Sequence, residues 1–460
     1  MSVELPKSRL ATTDETGKRV YLYPASVRGR FVTRKKAAHA AMVLFFLALP
    51  WVRPGGRQLV LLDVARREFH IFGLHLRAHD APLLLFLLLG FAFGIGFVTA
   101  IWGRLWCGWA CPQTVFTESL FRKIETWIEG NHLARRALDL RPFDADKIAR
   151  KSGKWLAFLA VSLVITHSFL AYFVGSREIL GMVTSSPSEN WHSFLVIMFT
   201  TGVILFDFGW FREQFCVIMC PYGRFQSVML DSQSMVVGYD EKRGEPRRGS
   251  VPRGDKQADC VDCLRCVNVC PTGIDIRRGL QMECIACTAC IDACDEVMAK
   301  TRKPAGLIRY TTLAELRGKP RRRLTPRAAI YAALTIASLG ALAFSLRAKD
   351  YLEVTLLRAQ GAPYDLVPGP TVVNHFRLEI SNQTGSAQSL RLSLPADVGE
   401  ISLVMPVNPL PLKDNAAQRA DFFLRFPPRA LVRGSRKILL HWEAGEMKRD
   451  LEVTLVGPDA

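Results

Sequence analysis

Four long apolar runs and one shorter run divide the chain, and each is a candidate transmembrane helix. A helix needs about 20 apolar residues to cross the hydrocarbon core of a bilayer. The long runs cover residues 82–102, 155–175, 191–210 and 328–346, and the shorter run covers residues 37–52. The basic residues that precede the shorter run can lengthen it by snorkelling. The pattern therefore predicts a multi-pass α-helical membrane protein with five transmembrane helices.

Lysine and arginine alternate between rich and poor connecting segments, which indicates the orientation of the helices. Segments 1–36, 53–81, 103–154, 176–190 and 211–327 contain 9, 5, 10, 1 and 21 of these residues. Cytoplasmic loops carry the positive excess, so the first, third and fifth segments are predicted to face the cytoplasm. The expected location is a bacterial inner membrane, with the N-terminus in the cytoplasm and the C-terminus in the periplasm. The polar, basic start shows no pattern of a cleavable signal peptide.

The formal net charge of +18 would by itself suit a nucleic-acid partner. Most of the excess, however, lies in the predicted cytoplasmic segments, while residues 348–460 carry 13 basic and 13 acidic residues. The excess is therefore interpreted as a topology signal, and no nucleic-acid partner is expected. Arg321, Arg322 and Arg323, beside the last apolar run, are interpreted as a contact with membrane lipid headgroups.

Beyond residue 348, short alternating segments replace the long apolar runs. The predicted strands cover residues 352–357, 372–380, 390–394, 401–405, 422–426, 437–442 and 451–456. Seven short strands separated by turn residues are typical of an immunoglobulin-like β-sandwich. Nothing in this tail looks catalytic, so it is expected to dock partners.

All 12 cysteines lie in segments predicted to be cytoplasmic or at their membrane edge, which favours metal binding over disulfides. Eight of them form two Cys-x2-Cys-x2-Cys-x3-Cys runs, a spacing typical of ferredoxins with two [4Fe–4S] clusters, in which the fourth cysteine of each run binds the other cluster. The first cluster is therefore assigned Cys260, Cys263, Cys266 and Cys294, and the second cluster Cys270, Cys284, Cys287 and Cys290. A pair of zinc sites is the alternative. Each zinc site would need only two Cys-x2-Cys pairs.

The remaining cysteines form two pairs of equal spacing, Cys107-x3-Cys111-Pro112 and Cys216-x3-Cys220-Pro221. Each pair follows an apolar run, which indicates an internal repeat with parallel copies. Spacing i, i+4 predicts that both thiols of a pair share one helical face, and the four thiols are expected to meet at the cytoplasmic membrane edge. Soft thiolates favour Cu(I), although zinc or an Fe–S centre is also chemically open. Buried small apolar side chains are the structural alternative.

The predicted domains follow from these patterns. They are a cytoplasmic N-terminal segment (1–36), a four-helix membrane region (37–220), a cytoplasmic two-cluster ferredoxin-like domain (221–327), a fifth transmembrane helix (328–347) and a periplasmic immunoglobulin-like domain (348–460).

Two Cys-x3-Cys-Pro motifs, a two-cluster ferredoxin segment, a last helix and an exported tail together resemble the CcoG/FixG/RdxA proteins over essentially the whole chain. The motifs also occur in the NapH and NosR electron-transfer proteins. The resemblance implies a cupric reductase that supplies Cu(I) for assembly of the cbb-type cytochrome c oxidase. It implies copper ions, the oxidase assembly machinery and copper transporters or chaperones as partners, and a homodimer is compatible with the sequence.

In this hypothesis the two [4Fe–4S] clusters deliver electrons to copper, the substrate, at Cys107, Cys111, Cys216 and Cys220. Two other classes of function remain open. One is a pure electron-transfer subunit similar to NapH. The other is a non-enzymatic copper chaperone or assembly scaffold in which the clusters are structural.

Five histidines are weaker candidates for metal ligands. His70, His75 and His79 lie in the first exported loop and could gather copper, with ordinary loop histidines as the alternative. His39 and His167 lie in apolar runs and could bind haem or a metal, with satisfied helix-packing side chains as the alternative.

Two further features lie inside the apolar runs. Asp207 is an intramembrane acid just before the second cysteine pair, so it is a candidate functional residue. Gly90-x3-Gly94 is interpreted as a helix-packing motif, because small residues let two membrane helices approach closely.

The topology is tested with reporter fusions. A reporter fused after Ala460 should be exported, and one inserted near Gly249 should stay in the cytoplasm, because the basic segments are retained inside. Reporter activity on the opposite sides, or on the same side at both sites, would contradict the five-helix topology.

Overall fold

The computed structural model of the 460-residue chain describes residues 12–13, 16, 18–76, 80–247, 258–322, 324–349, 351–369, 371–384, 386–395, 398–413, 416–445 and 447–458. The chain divides into two units, Met1–Ala343 and Phe344–Ala460.

Helices make up most of the first unit. They are α1 (Arg30–Ala48), α2 (Ala81–Trp102), α3 (Leu105–Trp109), α4 (Pro112–Phe116), α5 (Arg122–Ile128), α6 (His132–Leu140), α7 (Ala145–Val174), α8 (Ser176–Thr184), α9 (Trp191–Leu205), α10 (Pro221–Met229), α11 (Glu241–Gly244), α12 (Arg265–Asn268), α13 (Ala289–Lys300), α14 (Leu313–Leu316) and α15 (Pro326–Arg347). Proline opens several of them, since its missing N–H would be unsatisfied in the first turn anyway. Three π-helical segments occur at Thr117–Phe121, Phe206–Phe211 and Phe215–Met219, and short 3₁₀ turns lie at Leu49–Trp51, Pro54–Gly56, Ile276–Arg278 and, in the second unit, Pro428–Ala430.

Four helices in the described part of the chain are long and apolar enough to cross a membrane. They are Pro82–Trp102, Ala145–Val174, Trp191–Phe211 and Pro326–Arg347. Each coincides with one of the four long predicted runs, although the second helix ends at Val174, one residue before the predicted end. The second of them begins ten residues before the predicted start at Trp155, so its first three turns are a polar extension of the apolar segment.

The shorter predicted run, residues 37–52, lies in α1 and the 3₁₀ turn that follows it. This helix begins with a basic stretch that includes Arg34, Lys35 and Lys36, which leaves a short apolar part. It is not among the four candidate spans of the described chain, and the fifth span stays a prediction.

The loop between α1 and α2 folds into a small antiparallel sheet that the sequence pattern did not reveal. Its strands are β1 (Val60–Asp63), β2 (Glu68–Ile71) and β3 (Leu74–Leu76), in the order β1-β2-β3. Strands of three or four residues are too short to show a clear alternation of polar and apolar positions.

Strands β4 (Met235–Tyr239) and β5 (Ile308–Thr312) pair antiparallel and flank the eight ferredoxin cysteines in sequence. Between them, α12 and α13 follow the two cysteine loops. The core of this part contains Val237, Ile274, Ile276, Ile291, Met298, Leu307 and Ile308. Its apolar side chains pack against most of these cysteines, whereas Cys263 is exposed.

The second unit consists of two antiparallel sheets. Its strands are β6 (Leu352–Arg358), β7 (Asp365–Val367), β8 (Thr371–Asn382), β9 (Gln388–Ser393), β10 (Ser402–Val404), β11 (Leu410–Leu412), β12 (Ala417–Phe426), β13 (Ser435–Ala444) and β14 (Met447–Val456). One sheet has the order β10-β12-β8-β6, with β7 also paired to β8, and the other has the order β11-β9-β13-β14.

Alternate residues of these strands form one core, which includes Leu378, Phe422, Leu424, Leu440 and Trp442. This alternation is the pattern of a β-sandwich, in which each strand buries one face. The predicted seven strands are confirmed, and the prediction missed only the two three-residue strands β7 and β11 among the described residues.

Candidate iron–sulfur and thiol centre

The ferredoxin cysteines surround two cavities. A cavity of about 360 Å³ is lined by Cys260, Cys263, Cys266 and Cys294, together with Tyr239 and apolar side chains. A second cavity of about 350 Å³ is lined by Cys270, Cys284, Cys287 and Cys290, and Cys266 also borders it. The structure thus gathers the same two sets of four thiols that the spacing predicts, and the shared wall makes the cavities neighbours.

The two cysteine loops repeat an unusual backbone conformation. In the first loop Asp262 and Leu264, on either side of Cys263, have φ of 52° and 56°, and in the second Ala286 and Thr288, on either side of Cys287, have φ of 52° and 65°. Left-handed backbone at non-glycine residues costs about 1–3 kcal/mol each and persists where the surroundings enforce it, commonly at ligand sites. Both loops therefore curl tightly around a cavity.

The donor set and its surroundings fit two [4Fe–4S] clusters. Burial raises the pKa values of Cys266, Cys284 and Cys294 to about 12, so in the absence of metal these thiols hold their protons. Iron would replace those protons and take up the thiolates. No three His, Cys, Asp or Glu side chains of the described residues are arranged to hold a single metal ion.

The paired cysteines lie in two turns of the same design. Cys107 lies in α3, and Cys216 lies in the π-helical segment Phe215–Met219. Cys111 and Cys220 have extended backbones with ψ of 126° and 109°, and each directly precedes the next helix. The prediction that both thiols of a pair share one helical face is therefore wrong, because the following proline excludes helical backbone at the second cysteine.

A wide six-residue turn, closed by a hydrogen bond from residue i to residue i−5, replaces the expected helix in each copy. The backbone N–H of Cys111 donates to Trp106 O at 2.8 Å, and that of Cys220 donates to Phe215 O, also at 2.8 Å. Four residues before the first cysteine of each pair, Gly103 and Arg212 have φ of 57° and 52°. The internal repeat is thus present in the backbone conformation as well as in the sequence.

The two repeats are hydrogen-bonded to each other. Cys107 Sγ donates to Gln226 Oε1 at 3.2 Å, and the hydroxyls of Thr99 and Tyr222 lie 2.8 Å apart. Burial, with the nearby thiols of Cys111 and Cys220, raises the pKa of Cys107 to about 12. Burial and the thiols of Cys111 and Cys107 likewise raise the pKa of Cys216. The four thiols are therefore close enough to affect one another electrostatically.

Gly108, inside the first pair, contacts the loop of the second cluster site. A Cβ added to Gly108 would lie 2.5 Å from Ile285 O and 2.9 Å from both N and Cα of Cys287. Arg104 bridges the same regions, because its guanidinium donates to Cys284 O at 3.2 Å and to Gly223 O at 3.3 Å. The paired thiols and the second cluster site are thus packed backbone to backbone.

A polar cavity of about 290 Å³ lies between the second cysteine pair and the ferredoxin region. Its lining includes Gln113, Thr114, Thr117, Glu118, Arg122, Arg212, Glu213, Cys216, Pro271, Thr272 and Ile285. Arg122 pairs with Glu118 and with Glu213, at 3.3 Å in the second case, and also donates to Pro271 O at 3.1 Å. Space and buried charge therefore lie beside Cys216.

Arg212, directly after the π-helical segment Phe206–Phe211, holds the second repeat in place. It is 1% exposed and pairs with Glu125 through two hydrogen bonds, one of 3.1 Å to Oε2. Burial opposes ionisation of Glu125, but the Arg212 guanidinium outweighs it and holds the pKa of that carboxyl below its ordinary value. The carbonyl of Arg212 in turn accepts from Gln113 Nε2 at 3.1 Å.

The weaker candidates have ordinary partners. His39 is buried, with Nδ1 3.1 Å from Ser119 Oγ and Nε2 3.3 Å from Gly108 O. His167 Nδ1 lies 2.7 Å from Leu163 O of its own helix. Both fit the helix-packing alternative, although His39 also contacts the first cysteine pair.

The exported histidines are only partly within the described chain. His70 and His75 are opposite each other on the paired strands β2 and β3. His79 lies outside the described residues.

Asp207 and the glycine motif also have structural partners. Asp207 Oδ1 accepts from Gln113 Nε2 at 3.2 Å, so the acid positions a residue of the first motif. A Cβ added to Gly90 would lie 3.1 Å from Leu339 Cδ2, and one added to Gly94 would lie 3.9 Å from Thr335 Cγ2. The motif therefore packs α2 against α15, as interpreted.

Asp292 connects the ferredoxin cysteine segment to α1, and the sequence patterns did not reveal this connection. It lies between Cys290 and Cys294, and its carboxylate accepts the backbone N–H of Phe31 at 3.3 Å and of Val32 at 2.7 Å. These N–H groups belong to the first turn of α1, where an acidic acceptor satisfies otherwise unpaired donors. No local signal could have revealed this cap, because its donors and acceptor are far apart in sequence.

Comparisons with known proteins agree with this architecture. Three family models match: "4Fe-4S dicluster domain" at residues 211–313, "4Fe-4S binding domain" at 83–132, and "IG-like fold at C-terminal of FixG" at 342–458. Together with the apolar helices, they define an iron–sulfur membrane protein with an immunoglobulin-like tail.

Full-length relatives narrow this class to one family. Protein RdxA of Cereibacter sphaeroides is 34% identical over 83% of this chain and 83% of its own. Protein RdxB of the same organism is 33% identical over 89% and 90%, and the nitrogen fixation protein FixG of Rhizobium meliloti is 32% identical over 82% and 79%. The chain belongs to this RdxA, RdxB and FixG family.

Metal analysis tests the two cluster sites. Protein purified without oxygen should contain about eight Fe and eight acid-labile sulfides per chain, because eight thiols form two sets of four. About four Fe, or stoichiometric zinc, would contradict the assignment. About twelve Fe would place a further cluster at the paired cysteines.

Gly108→Ala tests the contact between the first pair and the second cluster site. The added methyl group would overlap the backbone of Ile285 and Cys287, and overpacking of this kind typically costs about 1–3 kcal/mol. Thermal unfolding should show a lower midpoint than for wild type. Gly153→Ala in α7 is the matched control, since a Cβ there meets nothing within 4 Å and alanine favours the helix. Equal midpoints for the two variants would contradict the contact.

Proposed function

We propose that this protein is a cupric reductase that passes electrons from two [4Fe–4S] clusters to Cu(II) at Cys107, Cys111, Cys216 and Cys220. The observation that carries the proposal is the contact of Gly108 with Cys287, which joins the paired thiols to the second cluster site. Close packing favours transfer to this site over any acceptor that must dock from outside.

The electron balance of the step is simple. The eight ferredoxin cysteines would hold two [4Fe–4S] clusters, each of which would supply one electron without a change of ligands. Reduction of one Cu(II) ion to Cu(I) would take up one electron, so it would oxidise one cluster by one electron. Soft thiolates at low coordination number favour the product, Cu(I), over harder divalent ions.

The residues of this chain hold and shape the copper site. Thiols must lose their protons to bind a metal, and Gln226, whose Oε1 accepts a hydrogen bond from the Cys107 thiol, is placed to orient that thiol. The polar cavity beside Cys216 supplies room for an ion. Since no three metal-binding side chains of the described residues already surround one point, copper binding has to draw the two pairs together.

The biological setting is also proposed. Cu(I) would be supplied to the assembly machinery of a cbb-type cytochrome c oxidase through copper transporters or chaperones. The clusters and paired thiols would face the cytoplasm of a bacterium, with the immunoglobulin-like domain in the periplasm, where its surface docks partners. A homodimer in the inner membrane is compatible with this arrangement.

One observation favours a second candidate, an electron-transfer subunit without a substrate of its own. The family model described as "4Fe-4S binding domain" covers residues 83–132, which include Cys107 and Cys111. In that function the four paired thiols would hold a further Fe–S centre that passes electrons to a protein partner. A copper scaffold with structural clusters would bind copper but would not reduce it.

Replacement of one cysteine pair separates these functions. Cys107→Ser with Cys111→Ser should weaken copper binding and slow Cu(II) reduction at least tenfold, because hydroxyls are harder and weaker ligands for Cu(I). Iron content should stay near the wild-type value. The measurements are copper affinity, anaerobic reduction of Cu(II) by the pre-reduced protein, and iron analysis.

Cys263→Ser with Cys287→Ser is the matched control. It should show the opposite pattern, with less iron and failed reduction while copper binding largely survives. Full copper turnover in the paired-cysteine variant would overturn the proposal. Loss of iron from that variant would favour the electron-transfer subunit, and copper binding without reduction by wild-type protein would favour the scaffold.

A further inference from the structure

One face of α1 lies against the second cluster site. Val32, Lys35 and His39, at spacing i, i+3 and i+7, are the buried residues of this helix. Lys35 is only 6% exposed, whereas its neighbour Lys36 is exposed. A lysine is almost never buried to this extent unless an opposite charge accompanies it.

Both neighbours of Lys35 on this face contact the loop of the second site. Val32 shares an apolar cluster with Cys287 and Ala293. His39, one turn beyond Lys35, lies 3.3 Å from the carbonyl of Gly108, which packs on Cys287. Lys35 therefore lies on the face of α1 that contacts the Cys287 loop.

The Lys35 ammonium lacks a protein partner for its charge. Among the residues that the structure describes, it has no hydrogen bond and no ion pair. Glu118 is close enough to feel its charge but is itself paired with Arg122. No described acid thus neutralises Lys35, and its charge is available to the second cluster site beside it.

The first cluster site differs in this respect. Its cavity is lined by Arg265, which pairs with Glu296 at 2.7 Å, and by Arg277. Arg277 is already neutralised by Asp275, at 2.7 Å, and by Asp262. The two sites thus have similar thiol sets but unequal local charge.

We propose that Lys35 is the counter-charge of the second [4Fe–4S] cluster and raises its reduction potential above that of the first cluster. A cluster with four thiolate ligands is an anion, and its negative charge grows by one on reduction. A cation beside the cluster stabilises the reduced form of the cluster more than the oxidised form. Electrons would then collect at the cluster beside the paired thiols, whatever the acceptor is. The inference rests on the second cluster and does not depend on copper reduction.

Lys35→Met tests the charge in the full-length protein. In an anaerobic redox titration followed by electron paramagnetic resonance, the reduced-to-oxidised ratio of one cluster should fall about tenfold at a fixed ambient potential. For a one-electron couple this corresponds to about 59 mV. The other cluster should change little, since only one site faces Lys35. Lys36→Met is the matched control and should leave both clusters at their wild-type potentials.

A charge-conserving variant keeps the test decisive if Lys35→Met fails to hold its iron. Lys35→Arg retains the cation, so it should retain both the iron and the potential of the second cluster. Loss of iron in both variants would show a packing role and overturn the inference. Unchanged potentials in Lys35→Met, or an equal shift of both clusters, would also overturn it. Copper never enters this assay, so its outcome is independent of the test for cupric reduction.

Discussion

The approach of the Gly108 backbone to Cys287 is the contact on which the rest of the centre depends. Only glycine allows it, because a Cβ would lie 2.9 Å from the backbone nitrogen of Cys287. The contact holds the first cysteine pair against the second cluster site. Arg104 donates to Cys284 O in the loop of that site and to Gly223 O beside the second pair, so it connects the second pair to the same loop. The buried faces of α1 and α4 close around this junction. The two cysteine pairs and the second cluster site therefore share one small region of backbone.

The internal repeat explains how two chain segments far apart in sequence form one centre. Gly103 and Arg212 occupy equivalent positions and the same unusual backbone region. Glycine adopts it at little cost, whereas the arginine is held there by its buried pairing with Glu125. Each copy thus reaches the same turn by different means. The copies then bond to each other through Gln113 and the carbonyl of Arg212, and through Cys107 and Gln226.

Local patterns predicted the helices, the sandwich and the grouping of the ferredoxin cysteines, because thiol spacing and hydrophobic periodicity are properties of neighbouring residues. They could not predict the contact of Gly108 with Cys287, since those residues lie 179 positions apart. The helical face assigned to each cysteine pair was wrong because the effect of the following proline on the preceding backbone outweighs helical periodicity. Lys35 looked like one of several basic residues before an apolar run. Only its burial in the folded chain distinguishes it from Lys36.

The cap that Asp292 provides for α1 has a consequence for the biogenesis of the protein. The carboxylate and the N–H of Val32 are separated by 260 positions, so the ribosome completes the first helix long before its cap is synthesised. Asp292 also lies between a ligand of each cluster site. The first helix consequently acquires its last hydrogen bonds only when the cysteine segment has folded against it. Maturation of the earliest helix therefore waits for one of the latest segments of the first unit, and the two ends of that unit fold together.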